Sequence, residues 1–198
     1  MTVTQLAEAA DVAAVLGRSL TATESTKVEP VLDRLSQQFR RLSKQLFTPG
    51  SSTVRLRVHG GDVYLPQVPV VAVEAVIDDD ANAVTYTRMD QWLSVTDPPE
   101  YAGLGGPLAF VRVTYTHGDA VVPDEVRLCI AEAAKRAILI PDAAASGATQ
   151  HTETAGSLTE STSFAAWAVG GQSLLSPDDR AFAKSFRLRY PRLIVMQP

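Results

Sequence analysis

Apolar positions along the chain recur at two periods, one helical and one of two residues, and the changes between them outline its elements. Thr21-Ala-Thr-Glu24 has the spacing of a capping box, in which a hydroxyl and a carboxylate each meet a free backbone N–H. Val28, Val31, Leu32, Leu35, Phe39, Leu42 and Leu46 then recur at steps of three and four, which predicts a helix over 21–47, the strongest in the sequence. Pro30 fits it poorly, so the helix either kinks there or starts nearer Val28. Thr48-Pro49-Gly50-Ser51-Ser52 ends it. A shorter helix is expected over 4–16, with Leu6, Ala9 or Ala10, Ala13 and Leu16 on one side and Gly17 as its stop.

The middle of the chain, 53–116, changes to a period of two. Val54, Leu56 and Val58 alternate with Thr53, Arg55 and Arg57, and Val63–Leu65 returns after the turn His59-Gly60-Gly61-Asp62, which predicts a hairpin. Val70–Ile77 is a further strand. Pro66 and Pro69 before it suggest an edge position or a late start. Val84–Thr87 and Trp92–Val95 are two more, and the Pro- and Gly-rich 96–107 is a surface loop. Leu108–Ile140 organises the whole. Val111, Val113 and Tyr115 alternate with Arg112, Thr114 and Thr116, and His117-Gly118-Asp119 breaks the strand. Pro123 then suits a first helical residue, and Asp124 and Glu125 suit the first turn of a helix dipole. Val126, Ile130, Ala133, Ala137 and Ile138 place a core helix over 123–140, stopped by Pro141.

Beyond Pro141 the pattern fades. Residues 142–173 are mostly Ala, Ser, Thr and Gly, with Leu158, Phe164, Trp167 and Val169 as scattered large side chains. That stretch cannot bury a core of its own and is expected to be an extended arm. Ser161–Val169 could become a strand if offered a partner edge. Ser176-Pro177-Asp178-Asp179 starts a short helix to about Phe186, with Phe182 and Phe186 on one face. The remainder, from Arg187, is basic and then apolar, and a partner protein is expected to bury it. The fold class is therefore α+β: an amino-terminal helical pair with a core helix, an inserted antiparallel β part, an arm, and a short helix with a tail. The core spans 1–141, the arm 142–173, and the helix and tail 174–198.

Composition narrows the function. At 198 residues and 45% hydrophobic content the chain can build a core. Eighteen Lys and Arg against 22 Asp and Glu leave a net charge of −4. No Lys/Arg block stands anywhere, which argues against sequence-independent DNA binding. One cysteine, Cys129, permits no internal disulfide and sits near the apolar stripe of its helix as a small core hydrophobe. No apolar run approaches the roughly 20 residues of a membrane span, and no secretory signal pattern leads the chain. A soluble protein made in a cytoplasm is expected.

Chemistry is sparse. His59, His117 and His151 are the three histidines, and none pairs with another His or Cys at metal-ligand spacing. His117-Gly118-Asp119 is the fragment closest to a catalytic group, with stabilising the turn as its plainer role. Asp78-Asp79-Asp80 lacks the spaced ligands of a calcium loop. Gly103-Leu104-Gly105-Gly106 precedes a strand, the wrong order for a phosphate cradle. Trp92 and Trp167 are not interleaved with basic residues. No catalytic, cofactor or metal residue is assigned, and a non-enzymatic protein is expected.

Three stretches resemble the head–tail connector (adaptor) proteins of long-tailed, siphovirus-type bacteriophages. They are Asp11-Val-Ala-Ala-Val-Leu-Gly-Arg-Ser-Leu-Thr-Ala-Thr-Glu24 with the helix after it, Val111-Arg-Val-Thr-Tyr-Thr-His-Gly-Asp119 with Val122-Pro-Asp-Glu-Val126, and Leu175-Ser-Pro-Asp-Asp-Arg180. Each is short and degenerate; together they span most of the chain. The alanine-rich composition suits a phage of an actinobacterial host. The resemblance implies a homo-oligomeric, dodecameric ring at the head–tail junction of a virion, assembled in the host cytoplasm. The ring would dock on the portal protein and on a head-completion or tail-terminator protein, with DNA passing through its channel without specific binding, and with no membrane involved. It also implies a portal-binding tail of Leu188, Tyr190, Leu193, Ile194, Val195 and Met196, with Leu193–Met196 added as a strand. Leu158, Phe164, Trp167 and Val169 would form an arm between subunits, although the 142–173 segment is longer than the family needs. The alternatives are a tail-terminator or head-completion ring protein, against which the helical pair argues, and a small enzyme using His117 and Asp119.

Overall fold

The computed structural model describes residues 4–96, 110–140, 147–155, 158–163 and 175–188. In chain order its elements are α1 (Ala9–Leu16), α2 (Ala22–Ser43), β1 (Gly50–Arg57), β2 (Asp62–Tyr64), β3 (Val70–Ile77), β4 (Tyr86–Met89), β5 (Trp92–Val95), β6 (Phe110–His117), α3 (Asp124–Ile138), β7 (Gln150–Ala155), β8 (Leu158–Ser163) and α4 (Pro177–Ser185). The class is α+β. One compact unit holds Met1–Ser43 and Val122–Phe186, and a second is built on Lys44–Val121.

In the helical unit α2 buries Val28, Leu32, Leu35 and Phe39 along one stripe. Its start is Ala22, so Pro30 lies inside the helix and the later start near Val28 does not hold. The predicted capping box is formed: the Thr21 N–H donates to Glu24 Oε2 at 2.8 Å and the Glu24 N–H to Thr21 Oγ1 at 3.3 Å. Arg18 donates two further bonds to the same carboxylate, at 2.8 and 2.7 Å. These bonds, Arg18 first and the Thr21 backbone second, lower the Glu24 pKa to about 2.

Three helix boundaries differ from the sequence reading. α2 stops at Ser43 rather than 47, because Lys44 and Phe47 take left-handed φ values of 63° and 61°. Residues 44–46 are instead clamped to 66–68 within the β unit. Gln45 Nε2 donates to the Pro66 carbonyl at 3.0 Å and the Val68 N–H to Gln45 Oε1 at 3.1 Å. The Leu46 N–H donates to Gln67 Oε1 at 2.8 Å and Gln67 Nε2 to the Lys44 carbonyl at 3.0 Å. α1 starts at Ala9 rather than residue 4. Asp11 accepts from the Glu8 N–H at 2.9 Å to cap it, while the buried Leu6 donates its N–H to Ser36 Oγ at 3.0 Å. Val12, not Ala13 or Leu16, is the buried residue of α1. α3 begins at Asp124 with Pro123 as its extended N-cap, and ends at Ile138; Pro141 lies outside the described residues.

α3 buries Val126, Ile130, Ala131, Ala133, Ala134 and Ile138 and packs on both α1 and α2. α4 is capped as predicted by Ser176, whose Oγ accepts from the Asp179 N–H at 3.2 Å, with Pro177 at the first position. It packs on α2 through an aromatic trio. Phe39 lies 6.1 Å from both Phe182 and Phe186, which are 5.1 Å apart edge to face.

The β unit holds two antiparallel three-stranded sheets, β1–β6–β3 and β2–β5–β4. Val111, Val113 and Tyr115 of the central β6 are fully buried, as their alternation requires. They form the core with Val63, Leu65, Val76, Leu93 and Val95. The predicted β1–β2 hairpin does not form. β1 pairs along its whole length with β6, β2 pairs with β5, and a single His59–Asp62 bridge spans the turn. The distant β6 offers an eight-residue ladder with Val54 and Leu56 opposite Val113 and Val111; the local return offers three residues. Gly50–Ser52, expected only to end the preceding helix before a strand from Thr53, is itself strand because it continues that ladder to His117. β3 is an edge strand, one of its two predicted readings. β4 spans Tyr86–Met89 rather than 84–87. The Val84 N–H is drawn to the Val76 carbonyl at 2.9 Å, and the reversal at Asp90 sets Tyr86 opposite Val95.

The 142–173 segment is not wholly irregular. β7 and β8 pair with each other, Gln150 opposite Ser163 and Ala155 opposite Leu158. Ser161–Ser163 therefore finds its partner edge inside the arm, and 164–169 lies outside the described residues. A ladder of backbone bonds is what pairs the two strands there. No helix among the described residues is long and apolar enough to cross a membrane.

Candidate functional site

His117 closes β6 and is 1% exposed. Its Nε2 lies 2.8 Å from Ser52 Oγ, and its ring centroid is 5.4 Å from that of Tyr115. Gly50 packs against the ring, where an added Cβ would meet Cε1 at 3.3 Å. Among the described residues no hydrogen bond joins His117 to Asp119, and no carboxylate hydrogen-bonds the imidazole. The Ser–His pair could share a proton, but nucleophilic use also needs an oriented ring and room for a substrate atom about 3 Å away. What the bond does is tie β1 to the end of β6.

Burial lowers the His117 pKa from its ordinary 6.5. The unfolded chain then binds a proton that the folded chain refuses, between 6.5 and that lower value, so stability rises with pH through this window. The thermal midpoint is expected to hold steady above pH 6.5 and to fall as the pH drops below it. His117→Gln should flatten that slope between about pH 7 and pH 5.5. Calorimetry across this range tests it, and a His117→Gln slope equal to that of the wild type would refute the assignment.

The remaining chemical candidates are absorbed by structure. Asp78 Oδ1 accepts from the Asp80 and Asn82 N–H groups at 2.9 and 2.8 Å, and Asp79 is held by Arg55 at 2.9 and 2.6 Å. The Asn82 side chain and the Arg55 guanidinium, respectively, hold these two carboxyls below the usual range. Among the described residues no three His, Cys, Asp or Glu side chains converge as metal ligands would. Cys129 is half-buried on α3. Its thiol is pushed up to about 12, by burial first and then by Asp179, whose Oδ1 lies 3.9 Å from Sγ. Asp179, visible in the sequence only as part of a cap, also binds Arg136. Trp92 stands half-buried beside Tyr64, with ring centroids 6.2 Å apart. Gly103–Gly106 and Trp167 lie outside the described residues.

Of the residues expected to contact partners, Leu188 is half-buried just after α4, and Leu158 opens β8. Phe164, Trp167, Val169, Tyr190, Leu193, Ile194, Val195 and Met196 lie outside the described residues.

Two surfaces emerge that periodicity did not reveal. On the outer face of the β1–β6–β3 sheet Arg55 stands directly opposite Arg112, and Arg57 opposite Phe110. The Arg55 guanidinium lies 3.9 Å over the Phe110 ring. Further along the same face Thr53 Oγ1 and Thr114 Oγ1 are 3.0 Å apart. No run of basic residues marks this face in the sequence, because its arginines come from two distant strands. In the helical unit, α1 and α3 flank a groove of about 390 Å³ lined by Asp11, Ala14, Val15, Asp124, Glu125, Arg127, Leu128 and Ala131. Arg127 pairs there with Asp124 at 2.8 Å and Asp11 at 3.5 Å. Leu128 is 53% exposed. No protein-family model matches the chain, and no curated protein matches it either.

Proposed function

We propose that this protein is a structural head-to-tail connector of a long-tailed bacteriophage. It forms a ring between the portal and the tail-side or completion proteins and surrounds the DNA exit channel of the virion. The observation that carries the reading is the β7–β8 ribbon between the core helix α3 and the capped α4. Its two strands pair with each other, and no third strand joins that sheet among the described residues. An isolated two-stranded ribbon is marginal in water. Such an appendage supports a role in assembly, in which neighbouring subunits cover it. The three stretches that resemble the connector family agree with this role. Leu158, Phe164, Trp167 and Val169 serve the contact between subunits, and Leu188, Tyr190 and Leu193–Met196 serve the portal, the last four by strand addition. DNA moves through the channel without specific contacts, in keeping with a net charge of −4.

Co-sedimentation with portal rings of the same virus, followed by negative-stain imaging, tests the proposal. The full chain should cap one end of the portal, and a chain truncated after Arg189 should stay folded and fail to do so. A full chain that leaves portal rings bare would overturn the connector reading. A truncated chain that still caps them would overturn the tail assignment alone.

A further inference from the structure

We infer that the arginine-bearing face of the β1–β6–β3 sheet docks on the α1–α3 groove of a second copy of this chain. The inference rests on the ring assembly proposed above and names the two surfaces that build it. An arginine directly opposite an arginine is an unfavourable cross-strand pair in an isolated chain. Asp79 is bound by Arg55 and also feels the charge of Arg112; Arg57 and Arg112 are exposed, and among the described residues neither reaches ion-pair distance of a carboxylate. Around Arg55, three guanidiniums against the one carboxylate of Asp79 leave a local excess of two positive charges, with the exposed Glu74 further along β3. The groove carries Asp11, Asp124 and Glu125 against Arg127, which leaves two negative charges. Each surface also offers apolar side chains: Phe110 on the sheet, with Ile77 opposite the nearby Arg112, and Leu128 with Val15 in the groove. Opposite charge beside apolar side chains is what one protein surface presents to another; a phosphate polymer would use only the charge.

The two surfaces belong to different units of the chain, so the contact is heterologous. Until the assembly closes, its two end copies each keep one unused surface, and a heterologous contact closes into a ring when its rotation permits.

Sedimentation velocity of the full chain over a concentration series tests the inference. Wild-type protein should assemble and should lose assembly as salt rises. Arg57→Glu with Arg112→Glu, and separately Asp124→Arg with Glu125→Arg, should each leave monomers. All four side chains are exposed, and circular dichroism should show both variants folded. An equimolar mixture of the two variants should assemble again, because the intact groove of one meets the intact sheet face of the other and the two exchanged surfaces are themselves of opposite charge. A chain carrying all four exchanges should assemble with itself again. Wild-type protein that stays monomeric throughout, or variants that assemble like wild type, would overturn the inference. So would a mixture of the two variants that stays monomeric. Retardation of a single-stranded oligonucleotide by the wild-type chain, abolished by the arginine exchanges while sedimentation is unchanged, would reassign the face to nucleic acid. Portal capping by a chain that never self-associates would overturn this inference and leave the connector reading standing. Salt-sensitive assembly without portal capping would do the reverse.

Discussion

Gly118→Ala is expected to destabilise the β unit more than any other exchange of similar size. Gly118 follows His117 with φ at +93° and donates its N–H to the Pro69 carbonyl at 2.9 Å. A Cβ there would stand 2.2 Å from the Thr48 carbonyl oxygen, 2.5 Å from its carbon and 3.0 Å from the Pro49 nitrogen. All three are backbone atoms, so no side chain can swing aside. A left-handed conformation costs a residue with a Cβ about 1–2 kcal/mol. Displacing packed backbone adds about 1–3 kcal/mol. The sum, on the order of 3 kcal/mol, is a large share of the roughly 5–15 kcal/mol that holds a domain folded. Gly17→Ala provides the comparison. Gly17 also has a positive φ, of 70°, but nothing lies within 4 Å of its added Cβ, so only the conformational cost applies. Urea denaturation of both variants separates the two contributions. If Gly118→Ala cost no more than Gly17→Ala, the close approach of the 117–119 turn to Thr48 would be wrong.

Phe39→Ala is expected to have an effect at least as large, in the helical unit. Phe39 is fully buried and touches both Phe182 and Phe186, the aromatic residues that seat α4 on α2. Truncating a buried Phe costs about 3–5 kcal/mol, with the two tilted ring contacts of Phe39 included in that range. α4 has only nine residues, too few to stand without tertiary contacts even with a complete capping box. Loss of Phe39 should therefore lower the denaturation midpoint and also free the α4 amides to exchange. Phe39→Leu, which refills much of the space, should restore most of the protection. Hydrogen exchange followed by mass spectrometry reads both effects. Slow α4 amides in a Phe39→Ala protein that is otherwise destabilised would show that the aromatic trio is not what holds α4.

The resemblance to connectors reached further along the chain than the described residues do. Most of the arm and tail side chains that it implicates fall on residues outside the description. The candidate site that the structure adds, the arginine-bearing sheet face and the acidic groove, carries no periodic signal. Charge runs are visible in a sequence only when the residues are neighbours, and here they are not.

What the sequence determined is local. The Thr21–Glu24 and Ser176–Asp179 caps, the buried stripes of α2 and α3, and the alternation of β6 involve residues a few positions apart, where backbone geometry alone decides which side chains share a face. Tertiary structure decided what each face meets. It gave β1 to β6 rather than to β2, joined Ser52 to His117 across 65 residues, and set Arg55 against Arg112. It also stopped α2 at Ser43, where clamping Gln45 and Gln67 outweighed one more turn of helix for Leu46 and Phe47. The physical reason is that periodicity records which side of an element must be buried, whereas the choice of partner depends on the length of ladder and the apolar area that distant segments can offer one another.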